Sequence, residues 1–226
     1  MQIVNVDLAR SRRLLFKHAP RRWWLNRSFT SRLMSWTGVT TLLPDPNANA
    51  RCLDVGCGDR PFDELLTSRG HDLYGVDPIS SAADVTARGE ALPFPSDSFG
   101  AAICAGVLEY VDDPERVCRE IGRVLGRDGV LVVRVVANAP LDPAAQWRWT
   151  DHSVAQMLVG AGFTDVVVVP LGSSPATLLH LSALGLRQIP LIGRLVGVLV
   201  ELFAYLALRS KDRRFPMGYA ARGIRG

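Results

Sequence analysis

The sequence predicts an α/β fold built on a mostly parallel sheet. Short apolar segments that favour strands alternate with helical segments between residues 51 and 170, which is the pattern of parallel sheets. The predicted strand at residues 100–105 is almost wholly apolar, as expected when helices cover both faces of a sheet. With 226 residues, 48% of them hydrophobic, the chain can fill a large core, and this composition excludes disordered and fibrous proteins.

Charge is distributed unevenly between the start of the chain and the rest. Up to Trp36 the sequence holds eight basic residues and one acid, a net charge of +7, and since the whole chain carries +4, the remainder carries −3. We interpret residues 1–46 as a basic helical arm, interrupted near Pro20 and followed by a turn-rich linker at residues 44–47. Residues 47–226 then form the α/β domain.

The cysteines and the first residues indicate where the protein resides. The four cysteines form no C-x-x-C pair, and no histidine stands at a metal-ligand spacing, so we expect reduced, buried thiols and no metal site. No continuous apolar stretch follows the first charges, so a signal peptide is not predicted. We expect a cytoplasmic protein, either free or peripheral at the inner face of the membrane.

The predicted elements follow in order from local signals. Cys52–Val55 is a short apolar strand, and Pro61 suits the first turn of the helix after it. Further on, Pro114 begins a helix, and Ser153 and Gln156 have capping-box spacing for another. The predicted strands comprise residues 52–55, 73–76, 84–86, 100–105, 130–136, 163–170 and 216–224.

The first predicted strand runs into a glycine turn of a kind that binds nucleotides. Gly56 and Gly58 permit a backbone with positive φ and let the main chain approach a ligand closely. Asp77 lies 19 residues after Gly58, at the end of the second strand, where a carboxylate can bind both hydroxyls of a ribose. Asp54, inside the first strand, suits a cationic or amine-bearing ligand. No phosphate-anchoring lysine follows the turn, which excludes a P-loop.

Several ordered motifs resemble those of class I S-adenosylmethionine-dependent methyltransferases, in particular the type 11 group. The first is RCLDVGCG at residues 51–58, and the second is GVD at residues 75–77. The others are GEALPFPSDSF at residues 89–99, VLEYV at residues 107–111 and RVLGRDG at residues 123–129. The resemblance covers residues 51–170 and the closing strand. It implies a Rossmann-like sheet of seven strands whose last strand is antiparallel.

The resemblance also implies a site for S-adenosyl-L-methionine. Asp54 and the amides of Gly56 and Gly58 would hold the methionine end of this cofactor. Asp77 would bind the ribose, and Ala105 would line the side of the sulfonium. The implied cofactor-binding residues, with residues 90–92 at the adenine edge, are Asp54, Gly56, Cys57, Gly58, Asp77, Pro78, Glu90, Ala91, Leu92 and Ala105.

The chain departs from the family pattern at three places. The family commonly has a further glycine soon after Gly58, where this chain has DRPF at residues 59–62. Gly100 and Tyr110 stand where an Asp and a His are usual, so the role of that His cannot be carried over. The candidate catalytic residues are His152, Glu109 and Tyr110, although His152 and Glu109 are equally explained as solvated helix or loop residues. Methyl transfer to a well-aligned acceptor also does not require a base.

Residues 176–212 are predicted as an apolar helical insertion before the last strand. Ile189–Leu208 is apolar except for Arg194 and Glu201, which are seven residues apart and share one face. Such a helix would lie in a membrane interface or pack as a lid or in a homodimer, and packing on the protein's own core is the competing interpretation. The apolar helix and the basic arm together make an anionic membrane surface a candidate partner. The alternative interpretation of the arm is a solvated basic helix. The acidic body disfavours nucleic acid.

These observations predict an S-adenosylmethionine-dependent methyltransferase. We expect a small-molecule, sugar or lipid-linked acceptor, with the membrane surface as a candidate location. Two alternatives stay open: a non-catalytic scaffold that keeps the methyltransferase fold, and a Rossmann enzyme that binds NAD or a nucleotide sugar. Pro61, which stands at the third glycine of the dinucleotide pattern, and the absence of a Tyr-x-x-x-Lys-like pair count against the second alternative.

Overall fold

A computed structural model describes residues 29–45, 51–139, 142–186 and 193–226. The elements in chain order are α1 (Phe29–Leu42), β1 (Arg51–Val55), α2 (Asp63–Thr67), β2 (Asp72–Val76), β3 (Phe99–Ala105), α3 (Pro114–Val124), β4 (Leu125–Val136), α4 (Asp151–Gly160), β5 (Phe163–Leu171), α5 (Ser174–Leu186), α6 (Gly193–Ala207) and β6 (Gly218–Arg225). The strands form one sheet in the order β2-β1-β3-β4-β6-β5. Strand β6 is antiparallel to β4 and β5, and the other pairs are parallel. The predicted α/β class and the antiparallel last strand are confirmed.

The sheet of the described residues has six strands, and the implied count of seven is wrong for this part of the chain. The predicted strand at residues 84–86 forms only an isolated parallel bridge, between Val76 and Val85. A parallel crossover normally needs a dozen or more residues and a helix, and the connection from Asp77 to Ala83 is too short for one. Instead Asp84 folds back on β2, since its N–H donates to the Gly75 carbonyl (2.9 Å) and its Oδ2 accepts from the Gly75 N–H (2.7 Å).

The sheet separates two hydrophobic cores. Helices α3 and α4 cover one face with side chains such as Ile121 and Leu158, and α1 and α2 cover the other with Trp36 and Leu66. Helix α1 therefore belongs to the core although it falls within the predicted arm, and it packs beside β4, β5 and β6. Its inward residues are Leu33, Met34, Trp36 and Val39, all at most 2% exposed. Residues 1–28, and with them most of the basic charge of the arm, lie outside the described residues.

Two helices, α5 and α6, occupy the chain between β5 and β6 and pack against each other. Helix α6 falls within the helix predicted over Ile189–Leu208, and α5 is an additional helix before it. Residues 187–192 and the side chain of Arg194 lie outside what the structure describes. That these helices are an insertion relative to the family stays a prediction.

Glu201 is not part of an exposed polar stripe, as the seven-residue spacing had suggested. Its side chain is buried, where Oε1 accepts the Thr30 N–H (2.9 Å) and Oε2 lies 2.9 Å from His180 Nδ1. The carboxylate thus ties α6 to α5 and to the start of α1. Because a buried charge is tolerated only when it is paired and hydrogen-bonded, this contact fixes which face of α6 turns inward. None of the described helices is long and apolar enough to cross a membrane.

Candidate cofactor site

The loop after β1 is shaped by Gly56 and Gly58, both of which have a positive φ (+72° and +50°). The Gly56 and Cys57 N–H groups donate to the Val76 carbonyl (2.7 and 3.1 Å), which ties the loop to the end of β2. A Cβ on Gly56 would lie 2.1 Å from Cγ2 of Val107, whereas a Cβ on Gly58 would meet no atom within 4 Å. Packing therefore requires a glycine at residue 56, and the space beside Gly58 is open to a ligand.

Asp77 stands at the end of β2 and is bonded to this loop. Its Oδ2 accepts the Gly58 N–H (3.1 Å), and its Oδ1 accepts the Ile79 and Ser80 N–H groups (2.9 and 2.8 Å). Partial burial opposes ionisation, but the three amide donors outweigh it and lower the pKa of Asp77 below its ordinary value. Asp77 is therefore an ionised carboxylate fixed by hydrogen bonds, and its Oδ2 can accept one more hydrogen bond.

Asp54 lies within β1, almost completely buried beneath the glycine turn. Its Oδ2 has no hydrogen-bond partner among the residues that the structure describes. Burial, and secondarily the nearby Asp63, raises the pKa of Asp54 to about 8. An unsatisfied carboxylate in this position is costly unless a cation or a donor compensates it.

Arg60 belongs to the DRPF segment that stands where the family commonly has a further glycine, and its backbone lies in the left-handed region, with φ of +54°. Its guanidinium bridges Asp63 and Asp84 (2.5 Å each) and donates to the Leu73 carbonyl (3.3 Å). A non-glycine residue in this region costs roughly 1–2 kcal/mol, and these contacts offset that cost. Arg60 is not among the residues predicted from the sequence, because its contacts with Asp63 and Asp84 form only in the folded loop.

The loop predicted at the adenine edge is fastened to α3. Leu92 is buried in the same cluster as Val55 and Val76, the last residues of β1 and β2. Its N–H donates to Glu120 Oε1 (3.1 Å), and its carbonyl accepts from Arg123 (3.0 Å). Leu92 therefore belongs to the same core as the ends of β1 and β2. Glu90 is half-buried, and Ala91 and Pro78 are exposed.

Ala105 ends β3 and is paired in register with Arg134 of β4. It is half-buried, and Gly106 after it has a φ of +74°. The carboxyl ends of β1, β2 and β3 thus bring Gly56, Asp77 and Ala105 to one edge of the sheet, as in other α/β ligand sites. Which of these residues contact the cofactor stays a prediction.

The three candidate catalytic residues do not form a single cluster. Glu109 is buried, and its Oε1 accepts the Val136 N–H (2.5 Å). Tyr110 donates its hydroxyl to Asp142 (3.0 Å) at the surface. His152 is exposed in the first turn of α4, beyond the cap made by Thr150.

A cavity of about 360 Å³ lies where β4 ends. Its lining residues are Glu109, Tyr110, Val136, Ala139, Asp142, Pro143 and Arg148, without His152. The structure brings Glu109 and Tyr110 together there, and it gives His152 no contact with the cavity. The hydrogen bond from Val136 to Glu109 holds the end of β4 in place.

All four cysteines are buried. Cys57, within the glycine turn, has its thiol pKa raised to about 12, chiefly by burial and then by Asp54. The thiols therefore stay protonated near neutral pH and are poor nucleophiles.

Comparison with known proteins identifies the family and the fold. A family model described as a methyltransferase domain matches residues 26–166. A solved structure from Thermotoga maritima, of a S-adenosylmethionine-dependent methyltransferase and possible histamine N-methyltransferase, is similar over 95% of this chain and 99% of that one, with a TM-score of 0.60 and 19% identity.

Two curated relatives are similar over shorter stretches. An uncharacterized protein of Mycobacterium tuberculosis is 37% identical over 36% of this chain, and the match spans 30% of the relative. A ubiquinone biosynthesis O-methyltransferase of Pseudomonas syringae is 27% identical over 60% of this chain and 66% of the relative. The first relative is thus matched over less than a third of its own length.

Proposed function

This chain belongs to the methyltransferase domain family, and we propose that it transfers a methyl group from S-adenosyl-L-methionine to a small-molecule, sugar or lipid-linked acceptor. The family and the fold are those of S-adenosylmethionine-dependent methyltransferases. The observation that carries the proposal is the hydrogen bond between Gly58 and Asp77 beside open space, with the unsatisfied Asp54 carboxylate beneath it.

The residues present fit this cofactor. The orphaned Oδ2 of Asp54 suits the ammonium of the methionine end, because that group supplies both a positive charge and hydrogen-bond donors. Asp77 retains a lone pair on Oδ2 for a ribose hydroxyl, and the open side of Gly58 lets the ligand approach the backbone. When bound, S-adenosyl-L-methionine supplies a methyl group on a positively charged sulfur, which is a strong electrophile. The chain's own task is to bind and align the two reactants.

The cavity at the end of β4 supports a small acceptor group. Its volume of about 360 Å³ is at the lower end of the range for small-molecule pockets. Two of its lining residues, Glu109 and Tyr110, follow Ala105 and Gly106 closely in the chain. Glu109 and Tyr110 supply polar atoms to its wall.

The cofactor is tested by a thermal-shift comparison of S-adenosylmethionine, S-adenosylhomocysteine, NAD and a nucleotide sugar. A ligand at about 100 times its Kd adds roughly 2.7 kcal/mol of stability, which raises the Tm of a domain of this size by several degrees. We expect a shift with the first two compounds only. A shift with NAD or the nucleotide sugar alone would favour the other Rossmann chemistry. No shift, in protein shown to be folded, would favour the scaffold.

A membrane location is part of the proposal and rests on α6. Its exposed apolar face consists of Val198, Leu199, Leu202, Phe203 and Leu206, which are 46–59% exposed. Four basic residues and one acid follow in residues 209–214, and Phe215 after them is 57% exposed. An apolar face flanked by basic residues is typical of helices that lie in an anionic membrane interface. The face would hold the enzyme beside a lipid-linked acceptor.

Vesicle sedimentation tests this location. The full chain should sediment with vesicles of phosphatidylcholine and phosphatidylglycerol, less with phosphatidylcholine alone, and less again at high salt. Leu202→Glu with Phe203→Glu should abolish sedimentation, whereas Val159→Glu, at an exposed apolar residue of α4, should not. If the α6 variant instead dissociates a dimer in sedimentation equilibrium and leaves vesicle binding intact, the membrane location is wrong.

A further inference from the structure

Arg134 is a buried guanidinium at the carboxyl edge of the sheet, where β4 approaches its end. The residue is 9% exposed. Its Nε has no hydrogen-bond partner within the described part of the chain, and its Nη2 reaches Ser31 Oγ only at 3.4 Å. Buried arginines are normally paired with a carboxylate, so this group is short of partners.

The side chain lies on the same face of the sheet as Asp54. Cys52, Ile103 and Val132 share the core beneath α1, and successive side chains of a strand alternate between faces. Asp54, Ala105 and Arg134, each two residues further along its strand, therefore point to this face too. A Cβ on Gly106 would lie 3.8 Å from Arg134 Nη1. The guanidinium thus sits beside the end of β3, next to Ala105, the residue predicted on the sulfonium side.

The surrounding charges leave this cation undercompensated. Among carboxylates, Glu109 has the strongest electrostatic attraction for Arg134. However, Glu109 Oε1 accepts the Val136 N–H, and Glu109 Oε2 has no hydrogen-bond partner in the described residues. Burial lowers the pKa of Arg134 and raises the pKa of Glu109. Burial therefore disfavours the charged forms of both Arg134 and Glu109. An anion bound to the guanidinium would offset the free-energy cost of burying the charge of Arg134.

We propose that Arg134 binds an anionic oxygen of the methyl acceptor, a carboxylate or phosphate group, and so selects anionic acceptors. This inference rests on the proposed methyl transfer. The guanidinium can donate two parallel hydrogen bonds to such a group. Arg134 lies two strands from Asp54, with β3 between them, and this position fits the acceptor better than the cofactor. Arg134 would then act as a specificity-determining residue, because a neutral acceptor would leave the buried cation uncompensated.

The experiment measures binding of model anions to the full chain saturated with S-adenosylhomocysteine. Titration calorimetry with benzoate and phenyl phosphate, and with benzyl alcohol as the neutral probe, should show binding of the anions at least tenfold tighter than that of the alcohol. Arg134→Met should lose this preference, and Arg134→Lys should keep part of it. Arg222→Met is the matched control. Arg222 lies on the same face opposite Val132, further from the carboxyl edge, and its Nε also lacks a partner.

The same titrations separate the possible outcomes. If the wild-type chain binds S-adenosylhomocysteine but prefers no anion, or if Arg134→Met and Arg222→Met behave alike, the anion site is wrong and the methyltransferase proposal stands. If the wild-type chain binds no S-adenosylhomocysteine, the proposed function itself fails. If Arg134→Met weakens S-adenosylhomocysteine but not 5′-methylthioadenosine, which lacks the carboxylate, Arg134 binds the cofactor and the acceptor assignment is overturned. Circular dichroism establishes that each variant is folded. If Arg134→Met does not fold, the comparison is made with Arg134→Lys instead.

Discussion

Gly58 and Asp77, 19 residues apart, are joined by a hydrogen bond of 3.1 Å from the Gly58 N–H to Asp77 Oδ2. The bond links the turn after β1 to the end of β2, and Ser80 strengthens it by donating its hydroxyl to the Gly58 carbonyl (2.7 Å). Asp77 therefore has two tasks, since it shapes the turn and presents a carboxylate to the open space beside it.

Replacing Asp77 should weaken cofactor binding without unfolding the domain. Asp77→Ala removes the carboxylate and frees three amides, so we expect a loss of about 1.5–3 kcal/mol in binding, or roughly tenfold to a hundredfold in Kd. Asp77→Asn keeps one acceptor oxygen and should lose less. Titration calorimetry with S-adenosylhomocysteine measures both. Unchanged affinity in Asp77→Ala would remove Asp77 from the site.

The two glycines of the turn should respond differently to alanine. Gly56→Ala drives a methyl group into Val107 and requires a strained φ, so we expect a loss of more than about 2 kcal/mol in the free energy of unfolding. Gly58→Ala has open space and should lose only about 1–2 kcal/mol. Urea denaturation compares them, and Val107→Ala should partly rescue Gly56→Ala. Equal losses without rescue would contradict the packing argument.

Asp54 should make stability and cofactor binding depend on pH. Its pKa is raised to about 8 from about 3.9 in the unfolded chain, so the native state keeps a proton that the unfolded state loses. Its contribution to stability is complete below about pH 4 and is lost as the pH rises to about 8. The free energy of unfolding should therefore fall with pH more steeply in the wild type than in Asp54→Asn.

Binding offers a second measurement on the same group. An ammonium placed beside Asp54 would favour the carboxylate, so S-adenosylhomocysteine should release a proton from it near pH 7. Calorimetry in buffers of different ionisation enthalpy detects that proton, and Asp54→Asn should lack it. Equal proton release in both proteins would show that the ligand does not reach Asp54.

Arg60 should be more tolerant of glycine than of alanine. Both changes remove partly exposed ion pairs, worth about 0.2–1 kcal/mol each, but glycine also removes the backbone strain at φ +54°. We expect Arg60→Gly to lie within about 1 kcal/mol of the wild type and Arg60→Ala to lose about 1–2 kcal/mol more. Urea denaturation measures the difference. If alanine equals glycine, the left-handed conformation at Arg60 is not the source of the cost.

The features predicted well from the sequence are those encoded locally. Gly56, Gly58 and Asp77 follow apolar strands at fixed spacing, so the turn and the carboxylate could be placed beside each other before any coordinates. The prediction of a strand at residues 84–86 is wrong, since only an isolated bridge forms there. A further parallel strand needs a crossover connection, and the segment after β2 is too short for a crossover helix.

Contacts between distant parts of the chain could not be predicted. Thr30 and Glu201 are 171 residues apart, and no periodicity announces that they meet. For this reason the sequence predicts a polar face that includes Glu201, whereas Glu201 is buried. The burial of Arg134 cannot be predicted either, because a charged residue within a strand becomes buried only when the sheet and α1 assemble.

The position of β6 constrains the order in which the sheet can be completed. It lies between β4 and β5 although it follows both in the chain, and within the described sheet β5 pairs with no other strand. During synthesis β5 therefore emerges from the ribosome before its neighbour exists, with the apolar run Val167–Val169 beside an open edge. Such edges pair readily with the wrong chain. The edge of β5 therefore stays open to mispairing until β6 inserts, and heavy overproduction of the protein should increase its aggregation.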